Sequence, residues 1–124
     1  MNLLLDTHAV IWFLEGSRQM RPEARAAIES ADSAYVSSAT IWEMATKVAR
    51  GRLEAPLDFP DRLLDLGMLQ LALEWEHARV AGGLPLHHRD PFDRMLVAQA
   101  IVERLTIVTG DEEITRYPVR VIAA

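Results

Sequence analysis

The sequence contains no cysteine among its 124 residues, which excludes disulfides, thiolate zinc sites and cysteine nucleophiles. Any metal ion must therefore be held by oxygen atoms or by histidine. Long apolar runs are also missing, since the N-terminal run stops at Asp6 and no segment reaches the roughly 18 apolar residues of a membrane helix. Because the N-terminus also lacks the pattern of a signal peptide, we expect a cytoplasmic protein with no membrane partner.

Lysine is nearly absent: 12 of the 13 basic residues are arginine, and Lys47 is the one lysine. The net charge of −5 argues against a protein that coats nucleic acid through bulk electrostatics. Arginine is the better bidentate partner for phosphate, but a GC-rich genome would favour it equally well. Nucleic-acid binding must therefore be argued from a specific site.

The length and the composition, half hydrophobic and a quarter charged, indicate one globular domain spanning 1–124. Short apolar runs alternate with segments of helical period, which predicts an α/β fold with a parallel sheet. The predicted strands are 3–5, 34–37, 69–73, 106–109 and 119–122. The predicted helices are 8–14, 22–31, 39–50, 61–66, 74–81 and 91–104, with a glycine-rich loop from Gly82 onward and a short helix opened by Asp111.

Two acidic residues follow predicted strands. Asp6 comes directly after the first strand, and Asp111 comes after the fourth, with Gly110 permitting a tight turn. Ligands of open parallel sheets bind at the carboxyl ends of the strands, where loops diverge and helix N-termini point into the crevice. We therefore expect these two carboxylates at the same edge of the sheet.

Two further acids lie on predicted helices. Asp93 is in the first turn of its helix, on the row that Leu96 and Val97 continue toward the sheet. Asp90 is better explained as the N-cap of that helix, although it could also contact a metal. Glu43 lies four residues before Lys47, a spacing that favours a surface ion pair on a helix. Its helix also starts right after the second strand, so Glu43 can reach the edge of the sheet occupied by Asp6.

Carboxylates gathered at one point repel each other, by ~1 kcal/mol per pair at about 4 Å in water and ~4 kcal/mol at an effective dielectric of 20. A divalent cation would offset this repulsion, and an all-oxygen shell suits Mg²⁺ or Mn²⁺. The adjacent pair His87-His88 makes a poor chelate without a third ligand. The sequence also lacks a serine-hydrolase elbow and a P-loop, so a carboxylate-held metal ion remains the favoured chemistry.

Four segments together resemble the PIN-domain family, and within it the VapC-type toxin ribonucleases of toxin–antitoxin pairs. They are LLLDTHAVIW at 3–12, SSATIWEMATKVARGRL at 37–53, HRDPFDRMLVAQA at 88–100 and TIVTGDEEI at 106–114. The resemblance covers nearly the whole chain in the right order. It implies a three-layer α/β/α sandwich around a five-stranded parallel sheet.

The resemblance also implies a metal-dependent endoribonuclease that hydrolyses RNA phosphodiesters in line and leaves a 5′-phosphate and a 3′-hydroxyl. The acidic positions of the family fall on Asp6, Glu43, Asp93 and Asp111 as catalytic and metal-binding residues, with Asp90 a less certain ligand. The cofactor implied is Mg²⁺, or alternatively Mn²⁺. Thr7 and Thr109 match small hydroxyl positions, where hydrogen bonds would orient the carboxylates.

Substrate and partner contacts are more open. Arg89 or Arg94 could hold the phosphate backbone, and either could equally be a solvated arginine. Trp12 and Trp42 are candidates for a groove that binds an antitoxin helix, and packing in the core is an equally good interpretation of both. The family implies a homodimer paired with a VapB-type antitoxin.

Two alternatives stay open at this point. A PIN nuclease could act in RNA processing or on structured DNA without any antitoxin. A receiver-like signalling domain has a similar length, a five-stranded parallel sheet and an acidic Mg²⁺ pocket, but its paired acids after the first strand and its lysine after the fifth have no counterpart here.

Overall fold

The computed structural model describes all 124 residues and contains five strands, six α-helices and one turn of 3₁₀ helix. The strands are β1 (Asn2–Leu5), β2 (Ser33–Ser37), β3 (Leu69–Leu71), β4 (Thr106–Thr109) and β5 (Val121–Ala123). The α-helices are α1 (Thr7–Glu15), α2 (Pro22–Ser30), α3 (Ser38–Ala49), α4 (Phe59–Asp65), α5 (Trp75–Gly83) and α6 (Pro91–Glu103), and the 3₁₀ turn is Ile114–Arg116.

All five strands are parallel and lie in the order β3-β2-β1-β4-β5. This confirms the five-stranded parallel sheet. A receiver-like domain would have the order 2-1-3-4-5, so the topology removes that alternative. The chain leaves β1 toward β2 on one side and later returns to β4 on the other, so the crevice where ligands bind such sheets lies between the ends of β1 and β4.

Helices cover both faces of the sheet, as the predicted three-layer sandwich requires. Successive residues of a strand point to opposite faces, and β1 shows this directly: Leu3 and Leu5 belong to one buried cluster and Leu4 to the other. The first cluster is completed by side chains of α1, α2, α3 and α4, and the second by side chains of α6 and the 3₁₀ turn. β1 is therefore buried on both sides, which fixes the position of its carboxyl end.

Most predicted elements occur within a few residues of their expected bounds, and β4 matches them fully. One expectation was wrong: Gly82 and Gly83 are the last residues of α5 and not part of a loop. The end of this helix is held from outside, because Arg94 donates hydrogen bonds to the carbonyl oxygens of Ala81 and Leu84. Tertiary contacts therefore outweigh the poor helix propensity of glycine.

No helix of the fold is both long enough and apolar enough to cross a membrane.

Candidate metal centre

Asp6 is the most buried acid of the molecule, with 4% of its surface exposed. It ends β1 and serves as the N-cap of α1, its Oδ1 accepting the N–H of Ala9 at 2.9 Å. Its Oδ2 accepts a hydrogen bond from the hydroxyl of Thr109. Burial raises the pKa of Asp6 above its ordinary value, although these hydrogen bonds pull in the opposite direction.

Thr109 connects the ends of two neighbouring strands. While its hydroxyl donates to Asp6, the same oxygen accepts the backbone N–H of Asp111 at 3.0 Å. The Oδ1 of Asp111 in turn accepts the N–H of Glu113 at 2.9 Å, which starts the turn after β4. The two acids predicted at strand ends are therefore held together through one threonine, as expected for the hydroxyl beside them.

The N-terminus of α6 supplies two more carboxylates with different roles. Asp90 is the N-cap: its Oδ1 accepts the N–H of Phe92 at 2.8 Å and that of Asp93 at 3.4 Å. This confirms the capping interpretation. Asp93 turns inward, and burial together with the charge of Asp90 raises its pKa to about 7. A carboxyl with so high a pKa marks a place where negative charge is strongly disfavoured without a cation.

His88 is a site residue that the sequence reasoning missed. Its Nε2 lies 2.7 Å from an oxygen of Asp111 and 3.0 Å from an oxygen of Asp93, and its Nδ1 accepts the N–H of Asp90 at 3.1 Å. Burial alone would lower the pKa of His88, but the hydrogen bond to Asp111 and the charge of Asp93 raise it overall. Its position two residues before Asp90 was the available signal, which the adjacent His87 obscured.

Glu43 reaches the same edge from α3, as predicted. Its Oε1 accepts the hydroxyl of Thr7 at 2.6 Å, so a residue of α1 holds a carboxylate of α3. Its Oε2 lies 3.3 Å from the ammonium of Lys47, which is the ion pair expected from their spacing. The structure therefore confirms the ion pair with Lys47, while the metal-binding role of Glu43 stays a prediction.

One cavity of about 460 Å³ collects these groups, and we call it the acidic cavity. Within it, His88, Asp93 and Asp111 offer ligand atoms that all lie within 4.8 Å of one another. The oxygens of Asp6 and Glu43 face the cavity but lie outside that tightest group. The residues lining the acidic cavity are Asp6, Thr7, His8, Trp12, Glu43, Lys47, His88, Asp90, Asp93, Gly110 and Asp111.

The two arginines considered as phosphate contacts differ sharply in the structure. The guanidinium of Arg94 donates to Tyr117 and to four backbone carbonyl oxygens around it, those of Ala81, Leu84, Pro85 and His88. These hydrogen bonds engage both terminal nitrogens of Arg94, which braces the loop before α6 and does not line the acidic cavity. Arg89 is exposed and makes no ion pair.

The two tryptophans also differ. Trp12 is partly buried, lines the acidic cavity and stacks at a tilt on His8. Trp42 is 65% exposed and contacts Phe92 edge-on, with ring centroids 5.2 Å apart. Tryptophan is enriched at interfaces because its large apolar ring also carries a polar N–H, so the exposed ring of Trp42 is a candidate contact surface.

Solved structures with this fold include chains of toxin–antitoxin assemblies. A chain of VapBC2 from Rickettsia felis, bound to a DNA fragment from their promoter, has a TM-score of 0.71 at 16% identity, with 98% of each chain covered. A chain of DNA-bound VapBC from Salmonella typhimurium has a TM-score of 0.66 at 21% identity, covering 98% of this chain and 97% of that one. A chain of a toxin–antitoxin complex from Klebsiella pneumoniae has a TM-score of 0.69 at 19% identity, with the same coverage.

These identities are low, so the structural likeness establishes the fold alone. No curated protein matches the chain significantly in sequence. The sequence profile of the PIN domain, in contrast, matches residues 3–119, which is almost the entire chain and includes every acid of the cavity. PIN domains are nucleases that use divalent metal ions. The chain belongs to the PIN-domain family.

Proposed function

We propose that this chain is a magnesium-dependent endoribonuclease of the VapC toxin type, neutralised by a cognate antitoxin. The observation that supports this most directly is the meeting of Asp6, Glu43, Asp93 and Asp111 in one cavity. These acids come from four separate parts of the chain, and two of them follow adjacent strands. Such a gathering has no role in packing and is unfavourable without a bound cation.

The donor set fits a divalent cation. Carboxylate oxygens suit Mg²⁺ and Mn²⁺, and the one imidazole nitrogen, from His88, is compatible with Mn²⁺ as well. The Nε2 of this imidazole lies 3.0 Å from Asp93 and 2.7 Å from Asp111, so a positive charge at this point would be stabilised by both carboxylates. Asp93 and Asp111 would hold the ion together with Asp6, and Glu43 would complete the acidic surround.

When bound, the ion would polarise the scissile phosphodiester and lower the pKa of the attacking water, so no protein nucleophile is required. The chain's own residues supply position. Thr109 and the N–H of Ala9 orient Asp6, and Thr7 orients Glu43, so their carboxylates are fixed before substrate arrives. Hydrolysis in line would leave a 5′-phosphate and a 3′-hydroxyl on RNA.

Cleavage of RNA in the presence and absence of Mg²⁺ tests this proposal. Asp6→Asn and Asp93→Asn should each reduce Mg²⁺-dependent cleavage by at least ~100-fold while the far-ultraviolet circular dichroism stays that of the wild type. Asp61→Asn is the matched control, because Asp61 is an exposed carboxylate of α4 that makes no ion pair. Full activity in both site variants would remove the metal-site proposal.

The antitoxin belongs to the same proposal. The similar solved structures are toxin–antitoxin complexes, and the exposed ring of Trp42, directly before Glu43 in α3, provides an apolar anchor, while Trp12 lines the acidic cavity. A helix laid across both would cover the carboxylates. We also propose a homodimer, for which exposed Trp75 and Leu86 offer apolar surface.

Co-expression with the product of the neighbouring gene tests this part. The wild type should co-purify with that product, and Trp42→Ala should weaken the complex at least ~10-fold, since large aromatic anchors dominate such interfaces. Sedimentation measures the dimer. If the protein is a monomer and does not bind the product of the neighbouring gene, the antitoxin part of the proposal fails and the RNA-processing alternative is favoured.

A further inference from the structure

We propose that a second cavity, beside the acidic one, binds the sugar–phosphate backbone of single-stranded RNA next to the bond that is cut. We call it the arginine cavity, and it measures about 440 Å³. Its lining residues are Glu43, Thr46, Lys47, Arg50, Arg52, Arg89, Asp90, Pro91 and Phe92. This inference rests on the proposed nuclease function and extends it to the substrate contact.

The end of α3 brings two arginines to this cavity. Arg50 is the C-cap of α3, and Arg52 follows it after Gly51, whose φ of 69° turns the chain back sharply. A side chain at position 51 would be strained in this conformation. The turn allows residues two apart to line the same cavity. Arg89 lines it from the other side, in the segment before α6.

These three guanidinium groups are free to bind a ligand. None of them makes an ion pair or a side-chain hydrogen bond, and all three side chains belong to exposed residues. By contrast, Arg62, Arg79 and Arg116 each pair with a carboxylate of their own helical segment. In a chain with net charge −5, three unpaired arginines in one concave surface are a local excess of positive charge.

The arginine cavity adjoins the acidic cavity directly. Glu43, Lys47 and Asp90 line both, and the ion pair between Lys47 and Glu43 forms part of their common boundary. A chain of phosphates bound to the arginines would therefore continue past Lys47 to the carboxylates. The carboxylate-held metal site would bind the scissile phosphate, and the arginines would bind the phosphates next to it. The protein would then bind RNA without a basic surface over the whole molecule.

Phosphate is the ligand chemistry that these groups favour over a protein partner. Unpaired arginines are bidentate donors for phosphate oxygens, and a regularly charged backbone can engage all three at once. The rim offers a further contact, because Phe92 lines the cavity and packs against the exposed ring of Trp42, where a base can stack. The competing occupant, an acidic segment of a protein partner, is an outcome of the experiment below.

The test measures RNA binding without cleavage. Fluorescence anisotropy of a fluorescein-labelled oligouridylate of about ten nucleotides, in EDTA and over a series of salt concentrations, gives the Kd and its salt dependence. The triple variant Arg50→Gln, Arg52→Gln, Arg89→Gln should raise the Kd ~10-fold or more at low salt. The slope of log K against log salt should fall in magnitude by about 2, since each phosphate contact on a single strand contributes about 0.7.

A control variant with the same change in net charge separates the cavity from the overall charge. Arg18, Arg21 and Arg120 are exposed, unpaired and line neither cavity, so their triple replacement by glutamine should change the Kd by no more than about twofold. Equal losses in the two triple variants would overturn the proposal. Circular dichroism checks that both variants fold.

Three further outcomes are decisive. If the cavity variant keeps wild-type RNA affinity but no longer binds the antitoxin, the cavity serves a protein partner and the proposal fails. Cleavage of RNA by the wild type in Mg²⁺ is measured separately. If the wild type cleaves RNA but its RNA affinity does not depend on the three arginines, this inference alone fails. If the wild type shows no metal-dependent cleavage, the nuclease function itself fails.

Discussion

The acidic cavity is positioned at the level of single hydroxyl groups. Thr109 donates to Asp6 and accepts from the N–H of Asp111, so one oxygen fixes acids that follow two different strands. The hydroxyl of Thr7, on α1, donates to Glu43 on α3 and so fixes one acid across two helices. These threonines act through the carboxylates that they orient, and their effect should therefore be visible in metal binding.

Replacement of Thr109 by valine keeps the shape of the side chain and removes the hydroxyl. We expect Mn²⁺ affinity, measured by titration calorimetry, to fall ~10- to 100-fold, because Asp6 loses the donor that orients it. Thr109→Ser, which retains the hydroxyl, should recover most of the affinity. A valine variant with wild-type Mn²⁺ affinity would show that the hydroxyl has no positioning role.

The raised pKa of Asp93 predicts the pH dependence of stability in the metal-free protein. Its pKa of about 7 in the folded state lies above the ~3.9 of an unfolded chain, so the folded state binds more protons between these values. The free energy of unfolding should therefore fall as pH rises from about 4 to about 7. Asp6, whose pKa burial also raises, contributes with the same sign, and so does His88, whose stabilising proton is lost as pH rises through its folded-state pKa.

Urea unfolding in EDTA at a series of pH values measures this effect. Asp93→Asn should flatten the decline, while Asp61→Asn, which changes an exposed carboxylate, should retain it. Added Mg²⁺ should restore the stability of the wild type at neutral pH, since the cation favours the charged carboxylates. A wild-type stability that rises steadily over this pH range would contradict the assigned environment of Asp93.

At the scale of elements, the segment between α5 and α6 carries Asp90 and His88 and is held by the side chains of Arg94 and Tyr117. Arg94, from the first turns of α6, donates to carbonyl oxygens on both sides of the loop and to the hydroxyl of Tyr117. Tyr117 in turn donates to Pro85 and accepts the N–H of His88. The metal centre therefore depends on a loop that is fixed by polar contacts.

Replacement of Arg94 by methionine, which keeps a flexible unbranched stem but has no charge and no N–H donor, should lower the free energy of unfolding by about 2–4 kcal/mol, because several carbonyl groups lose a charged donor at once. Urea unfolding at pH 7 measures the loss. Arg120→Met is the control, since Arg120 is exposed and unpaired, and should change stability by less than about 0.5 kcal/mol. A loss in Arg94→Met no larger than in the control would contradict this bracing role.

Elements with a strong local signal were predictable, and contacts between distant segments were not. Asp6 and Asp111 could be placed together because parallel strands end at one edge, and Asp90 could be assigned as a cap from its position before Pro91. The bracing role of Arg94 could not be predicted, because its hydrogen-bond acceptors are mostly backbone carbonyl groups that no sequence pattern marks. The role of His88 likewise depends on a loop whose course is set by those contacts.

At the scale of the whole molecule, hydrophobic patterns and element order predicted five strands in a parallel sheet, and the resemblance to the PIN-domain family implied the three layers. The strand order came from the structure. The net charge of −5 also concealed the arrangement of charge. The sequence shows scattered acids and arginines, whereas the fold sorts them into an acidic cavity and an adjoining arginine cavity. This arrangement of charge could not be predicted from composition, because it depends on the C-terminal end of α3 lying next to the N-terminal end of α6.

In the proposed metal centre, repulsion among carboxylates remote in sequence is offset by a divalent cation between them. Anomalous diffraction from crystals of the protein grown with Mn²⁺ tests it most directly. We predict an anomalous peak in the acidic cavity, within about 2.0–2.3 Å of oxygens from Asp93 and Asp111 and close to Asp6. Crystals with Mn²⁺ in excess and no anomalous peak in that cavity would contradict the account.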